Sequence, residues 1–203
     1  MVRLLIVVML ALGALLPARL TGQVAVAVSA GARYSSALVR DSIVAPLHVR
    51  PTLAPTVAVT VGTPLERGWA AQVALDFSTG DLRRHDADGS IVALGRMSTA
   101  AFSVALNRRF AAGFSAGIGI GGLKYFPGED SGIFRLGGGS IAALGTLMVS
   151  HALTAGRSYG LSIEARYDVH GFTTPALRAD GFTSARAVHR VALAIRADRR
   201  GAR

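Results

Sequence analysis

The 203-residue chain has no cysteine, a single lysine at Lys124, and few aromatic residues, 6% of the total. Without cysteine it cannot be a lipoprotein acylated at an N-terminal Cys, and no disulfide can staple it. Beyond the first twenty or so residues it also lacks any apolar run long enough for a spanning helix, which needs ~20 residues. Yet hydrophobic residues make up 51% of the chain and its mean hydropathy is +0.43. Almost all of the basic charge is arginine, and the formal net charge is +10. The arginines are scattered through turns and strand interiors with no basic stripe and no interleaved aromatics, a pattern that excludes a nucleic-acid partner.

The first 22 residues stand apart. Met1-Val2-Arg3 is followed by an apolar run from Leu4 to Leu16, then by Pro17 and the small residues Ala18, Thr21 and Gly22. This is the layout of a cleavable signal peptide, with an apolar stretch too short for a membrane anchor. Loss of Arg3 and Arg19 with it takes the net charge from +10 to +8. Residues 23–203 then form one domain.

What the chain does contain is alternation. In Trp69-Ala-Ala-Gln-Val-Ala-Leu-Asp-Phe77, the residues Trp69, Val73, Leu75 and Phe77 share one face, and Gln72, Ala74 and Asp76 the other. In Tyr159–Val169, Leu161, Ile163 and Tyr167 oppose Ser162, Glu164, Arg166 and Asp168. A period of two is a β-strand. Eight such segments are expected: 24–34, 52–62, 69–78, 92–107, 114–124, 139–150, 159–169 and 186–197. Their connections alternate in length. Long ones, rich in Pro, Gly, Asp and Arg, follow the odd strands (35–51, 79–91, 125–138, 170–185), and short ones follow the even strands (63–68, 108–113, 151–158).

Alternation alone does not say which face is inside. The non-apolar face carries mostly Ala, Gly, Ser and Thr, as at Ser115, Gly117, Gly119 and Gly121. A water-facing surface would be about a quarter to a third charged, so a soluble lipocalin-like barrel is disfavoured. Small residues instead suit the crowded interior of a narrow barrel. The expected fold is all-β, an eight-stranded antiparallel up-and-down transmembrane β-barrel preceded by a cleavable signal peptide. Aromatic residues near strand ends, Trp69, Phe110, Phe114 and Tyr159 at one end and Phe77, Tyr125, Phe126, Phe134, Tyr167 and Phe172 at the other, match interfacial girdles.

With signal peptide, eight strands, alternating connections and small or charged inward faces, the chain resembles the small outer-membrane β-barrels of the OmpA/OmpX-like class over nearly its whole mature length. The resemblance implies a monomer in the cell outer membrane, with a periplasmic N-terminus and extracellular long loops, inserted by the barrel-assembly machinery. Members of the class usually end on an aromatic residue that the machinery reads, whereas this chain ends Asp198-Arg-Arg-Gly-Ala-Arg203.

The charges with inward parity are Asp76, Arg109, Glu164, Arg166, Asp168, Arg186, Arg190, Arg196 and Asp198, a structural charge network in a closed lumen, since buried charges must be paired. Within it, Glu164 is expected opposite Arg190, and Asp168 opposite Arg186. The loop arginines Arg40, Arg50, Arg83, Arg84, Arg135 and Arg178 could meet phosphates of outer-membrane lipids, including lipopolysaccharide. No enzyme is expected: His85, Asp86 and Ser90, or Ser150 and His151, supply triad residue types without a fixed geometry. Asp86-Ala-Asp88-Gly89-Ser90 resembles the start of a calcium loop but lacks its distant Glu. The histidines are too dispersed for a metal, and no glycine run joins a strand to a helix, so neither metal nor cofactor is expected. A structural, adhesive or envelope-protective role through the loops is the leading expectation, ahead of a narrow channel or transporter for small solutes and of a lipid-modifying enzyme.

Overall fold

Ten strands occur in the computed structural model of the protein, which describes residues 24–41, 47–130, 132–155, 159–182 and 184–199. The signal peptide expected at residues 1–22 lies outside the described residues. Eight strands form a ring: β1 (Ala25–Ser35), β4 (Ala54–Pro64), β5 (Trp69–His85), β6 (Ile91–Arg109), β7 (Phe114–Pro127), β8 (Ala142–Ala155), β9 (Tyr159–Phe172) and β10 (Arg186–Arg199). Each pairs antiparallel with its neighbour in sequence order, and β10 closes on β1 from Val26↔Arg199 to Ser35↔Arg190. Two short strands, β2 (Val39–Asp41) and β3 (Leu47–Pro51), lie in the first long connection, and β3 pairs with the end of β5.

Side-chain period and register together fix the polarity of the wall. Val73, Leu75, Phe102, Val104, Ile118, Ile120, Leu147, Val149, Leu161, Ile163, Leu193 and Ile195 are all exposed. Their in-between neighbours Ala74, Asp76, Ser103, Ala105, Thr146, Met148, Ser162, Ala192 and Ala194 are buried. The barrel is therefore apolar outside and small or polar inside. An exposed apolar band that circles the molecule cannot face water, where even a few hundred Å² is notable.

The short connections β4–β5 and β6–β7 are tight turns of one design. Arg67 and Gly68 in one, and Ala112 and Gly113 in the other, take positive φ (56°, 79°, 58° and 77°). Each turn is closed by a backbone bond between its flanks, Leu65 N–H to Trp69 O and Phe110 N–H to Phe114 O, both 2.8 Å. Two of the long connections shrink relative to expectation. β5 and β6 continue to His85 and Ile91, so the loop expected over 79–91 is only the tip Asp86–Ser90, and residues 170–185 contain the one-turn helix α1 (Pro175–Ala179).

Glycine is required at the seam between first and last strands. Gly31 faces Ala194, and a Cβ built there would overlap the Leu193 carbonyl oxygen and lie 2.6 Å from the Ala194 Cα. A backbone atom cannot move aside cheaply, so any side chain forces the seam apart. Gly31→Val should abolish the compact, fast-migrating band that a closed barrel gives on an unheated gel. Gly145→Ala, whose Cβ would meet Val169 Cγ1 at 3.4 Å, should keep it.

Candidate functional site

The lumen and the end of the barrel bearing the long connections hold the chemistry. At mid-lumen, Arg33 of β1, 2% exposed, makes a two-pronged ion pair with Asp76 of β5, one prong Nη2 to Oδ2 at 2.7 Å. Thr56 Oγ1 donates to the same carboxylate at 3.2 Å. Across the lumen Arg166 Nε donates to Asp168 Oδ1 at 2.7 Å, and Asp168 Oδ2 lies 3.9 Å from Arg33 Nη2. Arg190 of β10, also 2% exposed, donates through Nη2 to Thr99 Oγ1 at 3.0 Å and Ser78 Oγ at 3.4 Å. Nearer the short-turn end, Arg196 bridges Glu164 and Asp198, both at 3.0 Å.

Of the residues expected in the lumen, the structure brings together Asp76, Glu164, Arg166, Asp168, Arg190 and Arg196. Arg109 and Arg186 keep inward parity but lie exposed at opposite rims, Arg186 donating to the Ala37 carbonyl at 3.1 Å. The expected register is also displaced. Even residues do pair with even residues, but Arg190 faces Asp168, Glu164 faces Ala194 and Arg186 faces Phe172. The physical reason lies in the last long connection: Thr174 caps α1, accepting from the Leu177 N–H, while its hydroxyl donates to the Ile133 carbonyl at 2.6 Å. The chain thus leaves the sheet only after Phe172, three residues past the expected end of the strand, and each β10 residue meets a β9 partner four residues further on than expected. Arg33 escaped the sequence reading although the signal was present, since Val26, Val28 and Tyr34 place the odd residues of β1 inside.

Above the charges sits an apolar plug. Leu38, Val49, Leu82, Met97, Leu123, Tyr125, Phe134, Leu144, Phe172, Leu177 and Val188 form one buried cluster drawn from the strand ends and long connections. Tyr125, Phe134 and Phe172 are therefore plug residues rather than members of an interfacial girdle; their rings lie 5.2–6.3 Å apart at tilted or edge-on angles, the geometry aromatic pairs prefer. Tyr125 and His170 share a 3.1 Å hydrogen bond beneath it. Among these charges and beneath the plug lie small voids, one of about 20 Å³ and one of about 10 Å³, each room for a water or so.

Outside the plug, β2, β3 and the end of β5 make a small sheet. Val49, Pro51 and Leu82 on one face are buried against the plug. The opposite face carries a row of cationic and imidazole side chains, with Arg40 facing His48, His48 facing His85, and Arg50 facing Arg83. The imidazoles of His48 and His85 stack at 4.6 Å. Arg50 Nε donates to His85 Nε2 at 3.4 Å. Partial desolvation, then His85, Arg50 and Arg40, holds the His48 pKa below its ordinary value. Among the described side chains, which do not include that of Asp41, no carboxylate pairs with Arg40, Arg50 or Arg83, whereas Arg84 pairs with Asp86 (Nε to Oδ1, 2.9 Å) and Arg135 with Asp180.

The triad types do not converge. Ser90 Oγ donates to Asp86 at 3.3 Å while His85 stacks on His48, and Ser150 shares a bond with Ser115 while His151 lies on Phe114. Asp86, Asp88 and Ser90 satisfy one another in the β5–β6 tip, and no group of three potential metal ligands occurs among the described residues.

Neisserial surface protein A has a similar architecture, with TM-score 0.57 and 10% identity over 87% of this chain and 96% of that one. The fold is that of a small eight-stranded outer-membrane β-barrel. OprG, an outer membrane protein of Pseudomonas aeruginosa, matches at TM-score 0.47 and 8% identity over 88% and 96% of the two chains. The outer membrane protein AlkL matches at TM-score 0.45 and 14% identity over 88% and 90%. No protein-family model and no curated protein matches by sequence.

In so narrow a barrel the charges differ in worth by their burial. Removing one partner of a buried pair strands the other and costs about 3–5 kcal/mol, whereas a solvated pair contributes about 0–1 kcal/mol. Arg33→Met should therefore lower unfolding free energy in detergent by about 3 kcal/mol or more. Arg196→Met, whose side chain is 19% exposed, should cost about 1 kcal/mol. Arg190→Ala, which removes the bonds to Thr99 and Ser78 and leaves a cavity in the lumen, should destabilise more than Arg178→Ala, whose side chain on α1 is exposed. Denaturant titration followed by Trp69 fluorescence measures all four.

Proposed function

We propose that the protein is an integral outer-membrane barrel with a non-conducting lumen, and that its work is done at the cell surface by the small sheet of β2, β3 and β5, which binds phosphate groups of outer-leaflet glycolipid and so anchors and reinforces the envelope. The N-terminus is then periplasmic and the long connections extracellular. The observation that carries this reading is the row Arg40, His48, His85 beside Arg50 and Arg83. Like charges facing each other across a ladder are destabilising, and no carboxylate among the described side chains forms an ion pair with these. A phosphate seated between two guanidinium groups does so with charge-assisted, two-pronged bonds. The reading is supported, too, by the plug and the charge pairs, which occupy the lumen beneath the sheet.

Two measurements test it. In nanodiscs of zwitterionic lipid, the protein should bind a fluorescent bis-phosphorylated glycolipid, and the double substitution Arg50→Glu, Arg83→Glu should weaken binding. Each basic residue near an anionic surface is worth about 1 kcal/mol, so the loss should reach roughly 30-fold. Equal affinity of the two proteins contradicts the assignment. In planar bilayers the protein should give no steady conductance, and discrete channel openings would favour the solute-channel alternative.

His48 supplies a pH dependence. With its pKa held below the unfolded value of about 6.5, the folded sheet binds fewer protons than the unfolded one as pH falls through 6.5. Its stability is present above that pH and is lost below it. Bound phosphate favours the imidazolium and should reverse the shift. The His48 resonance should titrate below pH ~6.5 in the free protein and move upward when the glycolipid is added; an unmoved midpoint would count against a phosphate at this row.

A further inference from the structure

Among the described residues Arg190 has no carboxylate within ion-pair distance. Its guanidinium is 2% exposed in the lumen wall, and its polar contacts are the neutral hydroxyls of Thr99 and Ser78. Its Nη1 has no hydrogen-bond partner, and neither has Nε of Arg33. The carboxylate opposite it in register, Asp168, is turned to Arg166 at 2.7 Å and toward Arg33 at 3.9 Å, while Asp76 is taken by Arg33. Mid-lumen therefore holds three guanidiniums, Arg33, Arg166 and Arg190, against two carboxylates. Arginine cannot shed its proton to escape, and an uncompensated buried charge costs several kcal/mol.

The opposite imbalance exists elsewhere: Glu164 and Asp198 outnumber Arg196. These groups are 15–24% exposed near the short-turn end. Glu164 lies level with Ala194, four residues along β10 from Arg190, about 13 Å at ~3.3 Å per residue. At that distance and with that solvent access they do not replace a contact ion.

A void of about 10 Å³ touches Arg33, Arg190, Ser78, Thr99 and Tyr125. It has room for one water-sized particle, which excludes phosphate, sulfate or a carboxylate ligand. We propose that this void is a binding site for a monatomic anion, chloride under cellular conditions. It is held by the free donors of Arg190 and Arg33 and by whichever of the Thr99 and Ser78 hydroxyls does not donate to the other across their 2.8 Å bond, and it completes the charge balance of the lumen. The site is independent of the cell-surface sheet and of what that sheet binds.

Crystals of the wild-type protein grown in bromide test it directly. The expected result is one anomalous peak inside the lumen within hydrogen-bond distance of Arg190 Nη1. An ordered Arg190 with no peak there, or one met by a carboxylate, overturns the proposal. In detergent at constant ionic strength, replacing gluconate by chloride should raise the unfolding temperature saturably, by about 3 °C or more. That rise should vanish in Arg190→Met. Should that variant not fold, Thr99→Val, which removes one neutral ligand, should shift the chloride midpoint to higher concentration. A wild-type unfolding temperature indifferent to chloride also overturns the proposal.

Discussion

Closure of the strand ladder is the constraint on which everything else depends. In a hydrocarbon environment each unpaired peptide group costs several kcal/mol, so β1 must find β10 along its whole length. Its ten paired positions, Val26↔Arg199 through Ser35↔Arg190, do so. Closure in turn fixes polarity. With one face of every strand turned to an apolar surround, the other is confined to a cylinder eight strands round, where side chains fill the space. Small residues, Gly, Ala, Ser and Thr, at most inward positions leave just enough room for a few long polar side chains, chiefly arginines.

The interior is organised in layers along the barrel. Nearest the short turns the charges of Glu164, Arg196 and Asp198 retain some solvent. At mid-lumen Arg33, Asp76, Arg166, Asp168 and Arg190 are buried, and their geometry matters accordingly. Above them the plug converts the long connections from flexible loops into a packed cap, stitched by Thr174 to the Ile133 carbonyl. This cap is why the small sheet of β2 and β3 can hold a fixed row of cations: its inner face, Val49 and Leu82, is anchored in apolar core. The paired lumen and the cationic surface are thus parts of one mechanical arrangement.

Most of the barrel was legible in the sequence because its physics is periodic. Strand positions such as Trp69, Phe114, Tyr159 and Arg186 were read to the residue, since a period of two and a girdle aromatic or turn glycine mark them locally. The inward set containing Asp76, Arg166 and Asp168 followed from the same parity. What escaped depends on contacts distant in sequence. The register of β9 and β10 is set by where Thr174 caps a helix, not by the charges on the strands. Tyr125, Phe134 and Phe172 looked like interfacial aromatics because position along a strand says nothing of whether a cap lies above. The surface row needed β3 to add to β5, a pairing between residues 48 and 85 that no local pattern announces.

The central claim is the inside-out wall, and the absence of cysteine makes it directly measurable. Single cysteines placed one at a time from Gln72 to Asp76, spin-labelled in lipid bilayers, report collision with oxygen dissolved in the hydrocarbon. Accessibility should be high at Val73 and Leu75 and low at Gln72, Ala74 and Asp76, a strict period of two. The reverse alternation, or uniform accessibility, would contradict the barrel described here.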